Sequence, residues 1–285
     1  MRAVVLTNRE PGGVAVQDIP MPQRGPDEVL LKVHAAGLNR VDLYMRDSGV
    51  GITHRLPQVM GVEGAGVVAE ADAGSGLIAG QKAVIFSNAF CGQCRYCKAG
   101  DQTLCLRANI MGEHRDGAFA EYVVMPSRCV LPLPDSIDLF EAGAMLTAHL
   151  TAWRMLFGKR ALRAGETVLV VGIGGGVAVA CLQLAKITGA RVIVTSSSDA
   201  KLERALALGA DAGINYRTQK VAERVLALTS GEGVDMVIDS VGEASWSDSL
   251  RSLRRGGRLV TCGATSGSHP SADLQRMFIR QLEVY

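Results

Sequence analysis

Four cysteines carry the sharpest chemical signal in the chain: Cys91, Cys94 and Cys97 at two-residue intervals, then Cys105 after seven intervening residues. Thiolates bind Zn²⁺ tetrahedrally at ~2.3 Å, and four of them close the shell. A closed shell leaves no position for water or a carbonyl. Such an ion would tie together a lobe over about residues 87–110 and do no chemistry itself. Two disulfides, four unrelated thiols or an iron–sulfur cluster are the other readings of this spacing. An odd total of seven cysteines fits a reducing compartment better than a disulfide framework. Cys129, Cys181 and Cys262 sit in apolar runs and read as buried packing residues.

The second signal is a glycine-rich turn. Residues 167–171 (TVLVV) run into Gly172, Ile173, Gly174, Gly175, Gly176, Val177 and Ala178, where a helix is expected to open. A pyrophosphate needs bare backbone N–H groups and close approach, which glycine permits. Gly172 makes the turn, Gly175 lets the backbone approach, and small Ala178 lets helix and strand pack closely. A lone glycine motif is weak, but this one follows a strand, opens a helix and sits in a βαβ series. The next strand, 191–195, runs into Ser196, Ser197 and Ser198 with no acid at its end. An acid there would bind the adenosine ribose hydroxyls and favour NAD. Without it a 2′-phosphate meets no repulsion, and Lys201 stands close in sequence to neutralise it. This points to NADP, with NAD as the alternative. The plainer reading of Lys201 is a solvated helix-face lysine.

These groups need elements to position them, and 285 residues suit two domains. The first part, 1–147, reads as short strands: Arg2–Leu6, Glu28–Ala35, 64–70, 82–86 and 119–125, punctuated by Gly and Pro as in a small β-barrel or sandwich. Ser136 is placed to cap a helix containing Glu141 and Ala142, and a second helix is predicted over 150–159. In 148–285 strands and helices alternate. Strands are predicted at 167–171, 191–195, Val234–Asp239 and 258–262, and helices at 177–188, 200–208, 219–228 and 245–253. That alternation specifies an α/β fold with a parallel, doubly wound sheet. Lys and Arg number 30 against 28 Asp and Glu, with no long basic run, which argues against a nucleic-acid binder. No apolar stretch is long enough to span a membrane and no signal-peptide pattern stands at the start, so a cytoplasmic protein is expected.

Together the cysteine lobe, the glycine turn and the stretches GLNRVD (37–42), GVEGAGV (61–67), GAFAEYV (117–123), LTAW (150–153) and GGRLVTCG (256–263) resemble the medium-chain dehydrogenase/reductase superfamily. The resemblance covers essentially the whole chain. It implies a GroES-like, β-rich catalytic domain followed by a Rossmann domain, with the active site in the cleft between them. It implies hydride transfer between a nicotinamide and a small alcohol, aldehyde, enone or quinone, and one structural zinc on Cys91, Cys94, Cys97 and Cys105. A small-molecule substrate and a homodimer, or a dimer of dimers, follow from it. Chains of that family usually run further, so the segment returning to the catalytic domain is expected to be missing here.

The departures from the family matter as much. Zinc-dependent alcohol dehydrogenases carry a cysteine where this chain has Asn39, a His-Glu pair where it has Val62 and Glu63, and a third ligand aligning near Thr147. Asn and Val do not replace a thiolate and an imidazole as ligands, so a catalytic zinc is not expected. Quinone oxidoreductase-like members carry an asparagine at the Asn39 position and work without zinc. In them the residues matching Lys201 and Tyr216 flank the NADP 2′-phosphate. The resemblance further implies that Ser196 borders the cofactor, Arg40 contacts the pyrophosphate, Thr151 packs on the nicotinamide, and Val241 with Gly263, Ala264 and Thr265 lines the nicotinamide pocket.

Reduction of a carbonyl or enone builds negative charge on oxygen, which without a metal must be met by hydrogen-bond donors. The candidates are the Asn39 amide, the Tyr44 phenol as proton donor, and the Thr147 hydroxyl. The plainer readings are a turn-holding Asn39 and a partly buried Tyr44 on a short helix. Asp42 reads as the cap of that helix. His34, His54, His114, His149 and His269 show no ligand spacing. The sequence therefore points to an NADPH-dependent oxidoreductase acting without a catalytic zinc. The alternatives are an alcohol dehydrogenase with an atypical metal site and a non-catalytic cofactor-binding or redox-sensing protein.

Overall fold

The computed structural model describes residues 1–47 and 56–285; His54 lies outside the described residues. The chain forms two compact units, Met1–Thr147 and Ala148–Tyr285.

The first unit contains β1 (Arg2–Leu6), β2 (Val14–Asp18), β3 (Glu28–Ala35), α1 (Arg40–Asp47), β4 (Gln58–Val59), β5 (Ala65–Glu70), β6 (Lys82–Ile85), β7 (Asn88–Ala89), α2 (Arg95–Lys98), β8 (Asn109–Ile110), β9 (Tyr122–Pro126), β10 (Val130–Pro132) and α3 (Leu139–Gly143). Five antiparallel strands lie in the order β10-β6-β5-β3-β9; β2-β1-β4 form a second sheet, and β7-β8 a two-stranded ribbon. Successive strand residues point to opposite faces. Val29 and Leu31 of β3 therefore meet Val68, Ile85, Val123 and Met125 in one core. This is the β-rich architecture expected of the first domain.

Helix α4 (Leu146–Phe157) leads into β11 (Thr167–Val170), α5 (Gly176–Ile187), β12 (Arg191–Ser196), α6 (Asp199–Ala207), β13 (Ala212–Asn215), α7 (Val221–Leu228), β14 (Val234–Asp239), α8 (Glu243–Ser252), β15 (Leu253–Thr261), α9 (Leu274–Arg280) and β16 (Glu283–Val284). The strands form one parallel sheet in the order β13-β12-β11-β14-β15-β16. Alternate residues feed its two faces. Val168, Val170, Val192, Val194, Met236 and Ile238 join the core under α4 and α5. Leu169, Ile193, Val237 and Leu259 join the core under α7 and α8. A strand apolar on both sides requires helices on both sides, so the sheet is doubly wound.

Several local expectations are corrected. Asp138, not Ser136, caps α3, its carboxylate accepting from the N–H groups of Phe140 and Glu141 at 2.8 and 3.1 Å. Carboxylate and hydroxyl are both competent caps; where the chain first turns helical decides between them. The helix expected at 150–159 begins four residues earlier, at Leu146. The strand expected at 119–125 starts only at Tyr122, because Phe119 is drawn into backbone bonds with Val4 and Met60. β2 and β13 lack a clear sequence signal and appear only as partners of β1 and β12. Cys129 and Cys181 are buried, but Cys262 is exposed: it lies one residue past the end of β15, where the chain leaves the sheet.

Candidate functional site

The four cysteines lie on the excursion between β7 and β8, Cys97 in the short helix α2 and Cys94 just before it. Their Sγ atoms all fall within 4.8 Å of one another. Cys91 and Cys97 are 3.9 Å apart, Cys94 and Cys97 3.5 Å, and no disulfide joins them. Sulfurs bound ~2.3 Å from one tetrahedral ion sit about 3.8 Å apart, so the donor set fits zinc. Backbone N–H groups already point at the sulfurs: those of Gln93 and Cys94 at Cys91, and those of Cys91 and Arg107 at Cys105. Donation from Gln93 and Cys94 holds the Cys91 thiol down at about 5, while burial pushes Cys97 up to about 12. Among the described residues this is the only group of three or more His, Cys, Asp or Glu whose ligand atoms converge.

The corner containing Asn39, Val62, Glu63 and Thr147 is built differently. Asn39 precedes α1, and its N–H donates to Asp42 Oδ2 at 2.7 Å, one half of a capping box across the first turn. The other Asp42 oxygen accepts from the Val62 N–H at 3.2 Å. Burial pushes the Asp42 carboxyl above its usual range, against the lowering effect of these N–H donors. Glu63, 2% exposed, accepts from Asn39 Nδ2 at 2.7 Å on one oxygen and from the Thr147 N–H at 2.6 Å on the other. A carboxylate only accepts, so the nitrogen of the Asn39 amide must face it. The second hydrogen of that NH₂ goes to the Gly37 carbonyl at 3.2 Å. Both donors are therefore committed within the protein, and the expectation that Asn39 offers its NH₂ to a developing oxyanion does not match the geometry. Tyr44 stands on α1, 47% exposed, and Thr147 is half-buried in the first turn of α4. Arg40 is exposed at the start of α1.

In the second unit the strand β11 leaves the sheet at Gly172, whose φ of +76° suits glycine alone, and its N–H donates to Thr195 Oγ1 at 3.0 Å. Gly174 and Gly175 follow, and α5 opens at Gly176 with Val177 and buried Ala178 in its first turn. The first N–H groups of a helix lack intrahelical acceptors, so this bare turn offers donors to an anion. Lys201 reaches back from α6: a side chain added at Gly174 would stand 2.9 Å from its Nζ. Ser196 ends β12 opposite Asn215 of β13, and the Tyr216 N–H donates to the Ser196 carbonyl at 3.0 Å. Asp199, the nearest acid, accepts from Asn215 Nδ2 at 2.7 Å. Thr151 is half-buried on α4, and a side chain at Gly176 would touch Ala148 of that helix at 3.4 Å. Val241 lies 3.4 Å from the position a Gly172 side chain would take, and Gly263 packs on the Ser240 carbonyl, with Ala264 and Thr265 exposed beyond it.

Sequence reasoning missed three groups: the Glu63 clamp, Thr195 and Asp239. Glu63 stands alone in a glycine-rich run (GVEGAG), and Thr195 and Asp239 each close an apolar strand run (VIVT, MVID); a polar residue in such a place is the signal that could have found them.

A family profile described as an alcohol dehydrogenase GroES-like domain matches residues 25–135, and one described as a zinc-binding dehydrogenase matches residues 176–285. An alcohol dehydrogenase of Geobacillus stearothermophilus is 32% identical over 276 residues, 96% of this chain and 79% of the relative. A quinone oxidoreductase of Rattus norvegicus is 29% identical over 246 residues, 86% of this chain and 67% of that protein. Among solved structures, an NAD-dependent alcohol dehydrogenase superposes with a TM-score of 0.94 at 41% identity, covering 100% of this chain and 83% of the other. A putative zinc-binding dehydrogenase from Sinorhizobium meliloti, bound to NADP, gives 0.89 at 29% identity over 99% of this chain and 82% of its own. With both domains matched and the cysteine cluster fit for a structural zinc, the chain belongs to the medium-chain dehydrogenase/reductase superfamily and is an oxidoreductase of that type.

Proposed function

We propose that the protein transfers hydride from NADPH to a small unsaturated carbonyl, quinone or aldehyde, without a catalytic zinc. The observation that carries this reading is Glu63: its carboxylate is already closed by Asn39 and Thr147, beside an apolar Val62, and among the described residues no second group of metal-ligand side chains converges. The nicotinamide, when bound, supplies the hydride. The rest falls to the chain. The N–H groups at Gly175, Gly176 and Val177 hold the pyrophosphate, with Thr195 fixing the turn before them. Lys201 and half-exposed Tyr216 take the 2′-phosphate, and Ser196 leaves that end of β12 free of a competing acid. Arg40 adds a cation for the pyrophosphate, Thr151 and Val241 pack the nicotinamide, and Gly263, Ala264 and Thr265 complete its wall. The Tyr44 phenol and Thr147 hydroxyl are the donors proposed for the developing oxyanion. Asn39, its NH₂ committed, orients the start of α1 instead.

The test counts metal and cofactor together. Purified enzyme should hold about one zinc per chain and oxidise NADPH with some member of a panel of enones, quinones and aldehydes. Lys201→Ala should weaken NADPH about tenfold and leave NADH unchanged. One observation favours a second reading, NAD-dependent alcohol oxidation: the 41%-identical neighbour is named for it. Two zincs per chain, with NADH bound more than about tenfold tighter than NADPH, would replace the first reading by the second.

A further inference from the structure

Asp239, the last residue of β14, is fully buried, and no cation pairs with it among the described residues. Its carboxylate is held by four hydrogen bonds. Oδ1 accepts from the N–H groups of Val241 and Gly242 at 2.8 and 3.1 Å; Oδ2 accepts from the hydroxyls of Ser245 and Ser249, both at 2.7 Å. An uncompensated buried charge is costly, and only a carboxylate offers two oxygens that each accept twice. The geometry so fixed is the turn Ser240–Val241–Gly242 and the first turns of α8.

That turn sits at a particular place in the sheet. Chain order runs outward from β11 to β12 and β13 on one side and resumes at β14 on the other. Ligands of open α/β sheets bind outside the carboxyl ends of the strands at such a reversal. The turns after β11 and β14 flank it and lie close together: Val241 Cγ2 is 3.4 Å from where a Gly172 side chain would be. Lys201 and Tyr216 stand on the β12–β13 side, so a dinucleotide with its adenosine there lays its other half toward β14 and β15. Gly242 has φ +89°, and a side chain there would strike the Gly267 carbonyl at 2.6 Å. The Val241 carbonyl accepts from the N–H and the hydroxyl of Ser266, each at 2.8 Å. The loop after β15 is thus laced onto the turn that Asp239 holds.

We infer that Asp239 is a positioning residue for the nicotinamide half of the dinucleotide, acting through the Ser240–Gly242 turn it anchors. The inference rests on the cofactor reading proposed above.

The test separates the two halves of the ligand by titrating NADPH and its adenosine fragment, 2′,5′-ADP, into wild type, Asp239→Ala, Asp239→Asn and Ser245→Ala/Ser249→Ala, with thermal unfolding followed in parallel. Asp239→Ala should weaken NADPH by at least about tenfold, and 2′,5′-ADP by less than about twofold. Asp239→Asn should restore NADPH binding to within about threefold, because Oδ1 still faces the backbone donors and the two serine hydroxyls can turn to accept from Nδ2. Should Asp239→Ala fail to fold, the serine pair carries the test: NADPH weakened about threefold or more with 2′,5′-ADP unchanged. Equal losses for both ligands, or none for NADPH, overturn the inference. If wild type binds NADH and 5′-ADP in preference, the 2′-phosphate reading fails by itself. Asp239 is then judged by the same comparison with those two ligands.

Discussion

At the cysteine lobe four sulfurs converge within 4.8 Å, met by backbone N–H groups and by one another. At the Asn39 corner the carboxylate of Glu63 is met by a side-chain amide and a backbone N–H, each at hydrogen-bond distance. Both places hold polar groups the fold has to satisfy. The first is a converging set of four thiols whose spacing fits a zinc ion. The second has been closed from within, so its charge and geometry are satisfied by the chain alone. The difference shows two ways one chain meets its polar groups: four sulfurs converge at spacings that fit a zinc ion, while a side-chain amide and a backbone N–H satisfy a buried carboxylate directly.

The largest effect should come from the lobe. Cys97→Ser removes one of four thiolates, and zinc should fall from about one per chain to near zero with a stability loss of ~3–5 kcal/mol. Metal analysis and denaturant unfolding on the same sample check both; a variant that keeps its zinc would show that three sulfurs suffice and that the shell is not closed by four.

Next comes the clamp. Glu63→Ala leaves the Thr147 N–H and the Asn39 amide without their acceptor, at about 1–2 kcal/mol for each donor left unmet, so about 2–4 kcal/mol in all. Glu63→Gln keeps one acceptor oxygen and should lose only about 1 kcal/mol. Zinc should remain at about one per chain in both variants. Metal content that dropped with Glu63 would erase the contrast between the two regions.

The smallest effect is a pH dependence at the same corner. Burial raises the Asp42 carboxyl above its ordinary value, so the folded protein holds that proton more tightly than the unfolded chain. The stabilisation is fully present below the unfolded value and is lost as pH rises through the folded one. The stability advantage of wild type over Asp42→Asn should therefore narrow as pH rises from the acid range toward neutrality. Unfolding curves at several pH values measure it, and a gap that widens would mean that the N–H groups of Asn39 and Val62 outweigh burial.

Much of the molecule was legible in the residues themselves. The short β-rich runs RAVVL, EVLLKVHA and VDMVID specified strands, and the switch to a βαβ rhythm after α3 specified the parallel sheet, because residue type and the Gly and Pro that punctuate it are local properties of the chain. The two-residue cysteine spacing and the strand–glycine–helix sequence were equally local, and both hold their expected places in the structure. Boundaries were less legible: Ser136 yielded the α3 cap to Asp138, and Cys262 left the sheet, each by a shift of one or two residues that no propensity resolves.

What the tertiary structure alone decided was the direction of polar side chains. Asn39 reads in sequence as a free amide donor; only the fold shows that Glu63, 24 residues away, and Gly37 take both its hydrogens. Thr147 reaches the same carboxylate across 84 residues, and Arg258 reaches Glu166 across 92. Chain periodicity carries no information about such partners, since a hydrogen bond depends on where two distant segments stop relative to each other within a few tenths of an ångström. The sequence determined which chemical groups the chain carries and where they lie along it; the packing determined which of them meet, as Asn39 and Thr147 meet on Glu63.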